Sequence, residues 1–215
     1  MSAKKLKHKS KSLDTTYENQ LLQKGYDYII GIDEAGRGPW AGPIYVAAYI
    51  FGKSSKPLSN ITDSKLLTHE QRQANIKLLP KSEYLFVYQD NKFIDKYGLS
   101  RSVTDSILEI TKQIQTNFQG KMKFLIDGYF KEKFEFDYEM IKKGDSKYYS
   151  IAAASIVAKV KRDEFMSKIA PDYPEYAFDR HKGYGTKQHQ KALKKFGVCA
   201  IHRRSFKPIA KVIGK

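Results

Sequence analysis

The sequence predicts an α/β protein with a mixed central β-sheet flanked by helices. Two observations carry this. Two strand-like runs, YDYIIGID (26–33) and PIYVAAYIF (43–51), are joined by a short glycine-rich turn, the pattern of a hairpin. The strand-like runs that follow are separated by helical stretches, which lay strands in one sheet with helices on its faces.

The elements follow in order. Residues 1–12 hold five lysines and three serines with no periodicity, and read as a flexible tail. DTTYENQLLQK (14–24) reads as a short helix with Asp14 as N-cap and Gly25 just past its end. Residues 1–25 are thus a basic extension, and 26–215 the main folded domain. NITDSKLL (60–67) is a loop entering a helix that stops before Pro80. EYLFVYQD (83–90) is a third strand, and 91–118 is helical in two pieces divided near Gly98. MKFLIDG (122–128) is a fourth strand, and FEFDYEMIKKGD (134–145) holds a short fifth. SIAAASIVAKVKRDEFMSKIA (150–170) is an alanine-rich helix whose small residues allow close packing on a sheet. TKQHQKALKKF (186–196) is the last expected helix, with Thr186 as its N-cap and Gly197 at its end. HRRSFKP (202–208) reads as a basic tail segment.

The chain has 215 residues, enough for one ordinary domain with a real core. No apolar run reaches the roughly 18 residues of a membrane span. The N-terminus lacks the apolar stretch of a secretory signal, so a cytoplasmic protein is expected. The single cysteine allows no internal disulfide. Lys and Arg number 39 against 23 Asp and Glu, a net charge of +16. That surplus favours a polyanionic partner, nucleic acid ahead of an anionic membrane surface.

Acids nevertheless recur at strand ends. Asp33 and Glu34 close the first strand, Asp127 closes the fourth, and Asp145 precedes the alanine-rich helix. Ligands of open α/β sheets gather beyond strand ends. Converging carboxylates repel one another unless cations neutralise them, and hard oxygen ligands suit Mg²⁺ or Mn²⁺. Two such ions about 4 Å apart can activate a water and stabilise the leaving oxygen in phosphodiester cleavage. Each acid alone also reads as a cap or turn residue, Asp145 above all. Asp63 reads as a loop or cap residue and Asp163 as a surface or supporting side chain, both outside the metal set.

Gly36-Arg37-Gly38 exposes backbone that a ligand can approach, and a backbone donor or acceptor can read a ribose 2′-OH. A tight turn between strands would want the same residues. Tyr184 sits between Gly183 and Gly185, flanked by Lys182 and Lys187. It is placed to pack on a sugar or, equally, to plug the edge of the core. Two other function classes compete. A non-catalytic nucleic-acid-binding protein explains the charge but not the strand-end acids. A metal-dependent nuclease or transposase acting on DNA explains the acids but not the two glycine loops.

GIDEAGRGPWAGP, DSKLL, FLIDG, KGDSKYYSIAAASIVAKVKRD, HKGYGTKQH and HRRSF together resemble ribonuclease HII, the bacterial type 2 ribonuclease H, in the family's order from about residue 26 to 208. The resemblance implies a ribonuclease H-like fold. It implies divalent-metal hydrolysis of the RNA strand of RNA–DNA hybrids. It further implies incision 5′ to a single ribonucleotide in duplex DNA, leaving 3′-hydroxyl and 5′-phosphate ends, the opening step of ribonucleotide excision repair. The family's four acids fall on Asp33, Glu34, Asp127 and Asp145, which would hold two Mg²⁺ or Mn²⁺ ions. Its Gly-Arg-Gly loop falls on Gly36, Arg37 and Gly38, and its junction-sensing tyrosine on Tyr184. Lys182 and Lys187 are expected on the phosphate backbone. A monomer is expected, with partners among DNA replication or repair proteins. Trp40 departs from the pattern, standing where the family more often has a smaller apolar residue, so a different packing of the loop is expected there.

Overall fold

The computed structural model describes residues 13–214; the expected N-terminal tail lies outside them. Five strands form one sheet: β1 (Tyr28–Ala35), β2 (Ile44–Gly52), β3 (Tyr84–Gln89), β4 (Met122–Asp127) and β5 (Tyr138–Ile141), in the order β3-β2-β1-β4-β5. The hairpin β1–β2 and the pair β2–β3 are antiparallel, while β4 and β5 join β1 in parallel. The sheet is therefore mixed, as expected, and its parallel half brings the C-terminal ends of β1 and β4 side by side.

Eight α-helices accompany the sheet among the described residues. They are α1 (Thr16–Gln23), α2 (His69–Leu78), α3 (Asn91–Tyr97), α4 (Leu99–Asn117), α5 (Tyr149–Ile169), α6 (Phe178–His181), α7 (Lys187–Phe196) and α8 (Lys207–Val212). Strand alternation splits the core in two. Ile29, Ala47, Tyr49, Phe51 and Leu125 face α5, with α1 and α2 beside it. Ile30, Ile32, Val46, Ala48 and Ile126 face α4. Both faces of β1 are covered, which is why it reads as a continuous apolar run.

Helix α5 lies directly on β1. A β-carbon at Gly31 would stand 2.1 Å from the Ser150 carbonyl carbon, so only glycine lets the helix approach this far. The alanines at 152, 153 and 154, all fully buried, serve the same close contact.

Several expectations shift. The N-cap of α1 is Thr15, and Asp14 instead accepts a bond from the Thr16 N–H at 3.1 Å. Asp145 does not cap α5. It sits in a 3₁₀ turn, Gly144–Ser146, and the N-cap of α5 is Tyr148 with no side-chain bond. The first turn of α5 is capped from a distance: buried Glu18 of α1 accepts from the Ser150 N–H and hydroxyl at 2.8 and 2.9 Å. The segment 202–208 is not a polar tail. His202 and Arg203 are fully buried, and the chain continues into α8. With Ala41, Met166, Phe178 and Leu193, Ile209 of α8 forms a third apolar cluster beyond the sheet edge.

Candidate active site and nucleic-acid interface

The hairpin and the parallel pair together position the acids. Asp33 and Glu34 are near the end of β1, and Asp127 is the last residue of neighbouring β4. The turn holding Asp145 is tied to β4 by the Gly144 N–H, which donates to Asp127 Oδ1 at 2.8 Å. One carboxylate oxygen each from Asp33, Asp127 and Asp145 lies within 4.8 Å of the others. Glu34 lines the same cavity, but its carboxylate pairs with Arg37 at 3.3 Å. Three of the four expected acids thus converge, and the fourth, Glu34, lines the same cavity outside that cluster.

The electrostatics are those of a site missing positive charge. Burial, then the neighbouring carboxylates Glu34 and Asp127, holds the Asp33 carboxyl well above its ordinary range. Burial also pushes Glu34 up to about 7, against the pull of Arg37. Asp127 is raised, first by burial. One cation of the chain already answers this: Lys65 Nζ reaches Asp145 Oδ2 at 2.6 Å. The donor set is all carboxylate oxygen, which fits a hard divalent cation and no soft metal.

Asp33, Glu34 and Asp127 line a cavity of about 350 Å³. Arg37, Gly38 and Tyr184 line it together with the acids, as do Lys65, Arg72, Ser155 and Lys159. A second cavity of about 420 Å³ shares Arg72, Lys159 and Tyr184 and adds Arg180 and Lys182. The expected phosphate lysines therefore differ. Lys182 borders this second cavity, its Nζ bonded to Ser167 Oγ and the Asp179 carbonyl. Lys187 opens α7 on the surface and lines neither cavity.

The glycine loops touch. A β-carbon at Gly38 would lie 3.6 Å from Tyr184 Cε1, one at Gly183 2.5 Å from the Ala41 carbonyl oxygen, and one at Gly185 2.1 Å from the Trp40 ring. The Trp40 N–H donates to the Gly183 carbonyl at 2.8 Å. Trp40, the expected departure, is thus the floor on which the Tyr184 loop rests.

Sequence reasoning missed Lys65, Arg72, Ser155 and Lys159. A signal for two existed: Ser155, Lys159 and Arg162 recur at i, i+4 and i+7, one face of the helix, and Ser155 interrupts its buried, apolar stretch from Ile151 to Ala158. Asp163 supports that face, buried and paired with Lys159 at 2.6 Å. Asp63 is a turn residue, accepting from the Lys65 N–H at 2.9 Å.

A mixed sheet with carboxylates converging at the ends of adjacent parallel strands, beside cationic side chains, is an arrangement able to hold divalent cations against a phosphate backbone. The family model for ribonuclease HII matches residues 30–209. Ribonuclease HII of Caldicellulosiruptor bescii is 40% identical over 191 residues, 88% of this chain and 91% of the relative. That of Aliarcobacter butzleri is 43% identical over 183 residues, 83% of this chain and 90% of the relative. In three dimensions the ribonuclease HII of a PCNA complex from Archaeoglobus fulgidus superposes with a TM-score of 0.65 at 20% identity, over 84% of this chain and 95% of that one. The chain belongs to the ribonuclease HII family. Membership makes it a hydrolytic nuclease directed at the RNA strand of RNA–DNA hybrids, in a family that depends on divalent metal, with which its acidic cluster is compatible.

Proposed function

We propose that the protein cuts on the 5′ side of a single ribonucleotide embedded in duplex DNA, as well as within RNA–DNA hybrids, leaving 3′-hydroxyl and 5′-phosphate ends. The observation that carries this reading is that Tyr184 and Gly38 stand side by side in the wall of the acidic cavity, with a β-carbon's space between them. A hydroxyl and an unshielded backbone there meet one sugar edge together, and a 2′-OH is what separates RNA from DNA at a single site.

Asp33, Asp127 and Asp145, with Glu34 from the same cavity, would hold two Mg²⁺ or Mn²⁺ ions. Such ions, when bound, supply an activated water and charge stabilisation for the departing 3′-oxygen. The chain's own part is orientation. Arg72, Lys159 and Lys182 line a basic track leading away from the acids, where they would hold the phosphate backbone and make affinity fall with salt. Lys187, on the surface at the start of α7, would add to that field from farther out. Lys65, 2.6 Å from Asp145 Oδ2, would compete with a bound cation for that carboxylate.

The reading places the protein at the opening of ribonucleotide excision repair, acting as a cytoplasmic monomer. A replication-clamp partner of the PCNA kind is supported by the A. fulgidus complex. No helix among the described residues is long and apolar enough to cross a membrane.

The test is cleavage of an end-labelled DNA duplex carrying one ribonucleotide, beside an all-DNA duplex and an RNA–DNA hybrid, with Mg²⁺, Mn²⁺ or EDTA. One metal-dependent cut 5′ to the ribonucleotide is expected, impaired in Tyr184→Phe more than hybrid cleavage is. Cutting of the hybrid alone would remove the junction reading.

A further inference from the structure

Arg162 and Arg203 are among the most buried side chains of the molecule, 1% and 0% exposed. Neither has a carboxylate within ion-pair distance among the described residues. Burying an ion without a counter-ion is costly unless its hydrogen bonds are satisfied. Here backbone carbonyls satisfy them. Arg162 donates from Nε to the Pro43 carbonyl at 2.9 Å, from Nη2 to Ala41 at 3.1 Å and from Nη1 to Lys182 at 3.0 Å. Arg203 donates from Nε to Gly42 at 2.9 Å, from Nη2 to Pro43 at 2.9 Å and from Nη1 to Arg37 at 3.4 Å. Five of the six bonds, including all three of Arg203, end on the link between β1 and β2, which carries Gly36–Gly38; the sixth, from Arg162 to the Lys182 carbonyl, ends on the loop that carries Tyr184.

The pattern has a physical reason. Residues 36–43 run outside the ladder of the sheet, so their carbonyls need other partners. A guanidinium supplies five donors in a rigid planar fork, and two forks can share one carbonyl, as they do at Pro43. A lysine would keep the charge but offer donors at a single point. Neighbouring contacts depend on the clamp. A β-carbon at Gly36 would stand 2.4 Å from Arg162 Nε, and the Arg162 guanidinium lies 5.8 Å from the Tyr184 ring centre. The Arg203 N–H donates to the Trp40 carbonyl at 2.8 Å, beneath Gly185.

We propose that Arg162 and Arg203 are positioning residues: both hold the link between β1 and β2 that carries Gly36–Gly38, Arg162 ties that link to the Tyr184 loop through the Lys182 carbonyl, and discrimination of a lone ribonucleotide depends on their fork geometry. The proposal rests on the junction reading above. Neither side chain is exposed to the cavity floor, so both act through the backbone they hold.

The experiment compares Arg162→Lys and Arg203→Lys with the wild type. Folding is checked by circular dichroism and thermal melting. Two readouts follow: the ratio of kcat/KM for the single-ribonucleotide duplex to that for the hybrid, and acrylamide quenching of Trp40, the chain's one tryptophan. In a folded variant the ratio is expected to fall by about tenfold or more while metal-dependent hybrid cleavage persists, and Trp40 becomes more quenchable. An unchanged ratio, an equal loss on both substrates, or unchanged quenching would overturn the proposal. Failure of both variants to fold would assign the arginines a purely structural role and overturn it too. If the wild type itself ignores the single ribonucleotide, the junction reading fails instead, and the discrimination part of the proposal with it. Trp40 quenching in the two variants would still decide the clamp.

Discussion

The ring of Tyr184 lies over Gly38, so that a β-carbon on that glycine would meet Tyr184 Cε1 at 3.6 Å. That is ordinary van der Waals contact, and Gly38 is not among the glycines with positive φ. An alanine therefore fits the fold, and the added methyl changes only the surface offered to the cavity. Gly38→Ala should melt with the wild type yet lose about tenfold or more in kcat/KM at a single ribonucleotide. A variant that cuts there at the normal rate would show that substrate does not come close to this backbone.

Gly36, two residues earlier, should behave in the opposite way. Its φ is +113°, and a β-carbon there would stand 2.4 Å from Arg162 Nε and 2.9 Å from the Pro43 carbonyl oxygen. Backbone strain of this kind costs about 1–3 kcal/mol, before the displaced arginine is counted. Gly36→Ala should lower Tm by several degrees and lose activity on every substrate. A normal melting curve would mean that the segment relaxes without the arginine bonds described above.

The acid cluster predicts a trade between stability and catalysis. Asp33 is buried beside Glu34 and Asp127, and its charged form is disfavoured by all three effects. Asp33→Asn removes one of the repelling charges while keeping the shape. In EDTA the variant should melt at or above the wild-type temperature, and its cleavage of hybrid should be lost. Added Mg²⁺ should raise Tm less for the variant than for the wild type, because a ligand stabilises only by differential binding to the folded state. A variant that still cuts at a normal rate would take Asp33 out of the metal site.

The strands were legible because an apolar run that ends in an acid has few other uses, and the observed β1, β2 and β4 follow the expected spans closely. β5 is shorter than FEFDYEMI suggests. Phe134 and Phe136 stack with ring centres 5.0 Å apart, and only Tyr138–Ile141 pairs with β4. Helix α7 begins at its expected cap because capping is local: Thr186 accepts from the His189 N–H. What could not be read is which distant backbone each side chain serves. Arg203 looks like a surface cation in HRRSF, and nothing nearby in the chain announces the carbonyls of Arg37, Gly42 and Pro43 that bury it. Asp145 looked like a cap because it precedes a helix. Its partners, Lys65 and the other acids, arrive through the sheet.

A chain of buried hydrogen bonds beneath Tyr184 gives the protein a dependence on acid. The Cys199 N–H donates to His202 Nδ1 at 3.0 Å, so His202 carries its proton on Nε2. That Nε2 lies 2.9 Å from Nε2 of His189, whose Nδ1 donates to the Tyr184 carbonyl at 3.0 Å. The chain works only while both rings are neutral, since a further proton would set two donors face to face. Burial lowers both histidines from 6.5 to about 4 in the folded protein. Between those values the unfolded chain binds more protons, so the stability these rings contribute is complete above about pH 6.5 and is lost as pH falls toward 4. Glu34, raised to about 7, acts in the other sense, its contribution being lost as pH rises through 7. The difference in Tm between the wild type and His202→Gln cancels the carboxylate part. That difference should shrink steadily from pH 6.5 to 4. A gap independent of pH would mean that the two rings do not share a single proton as the bonding pattern requires.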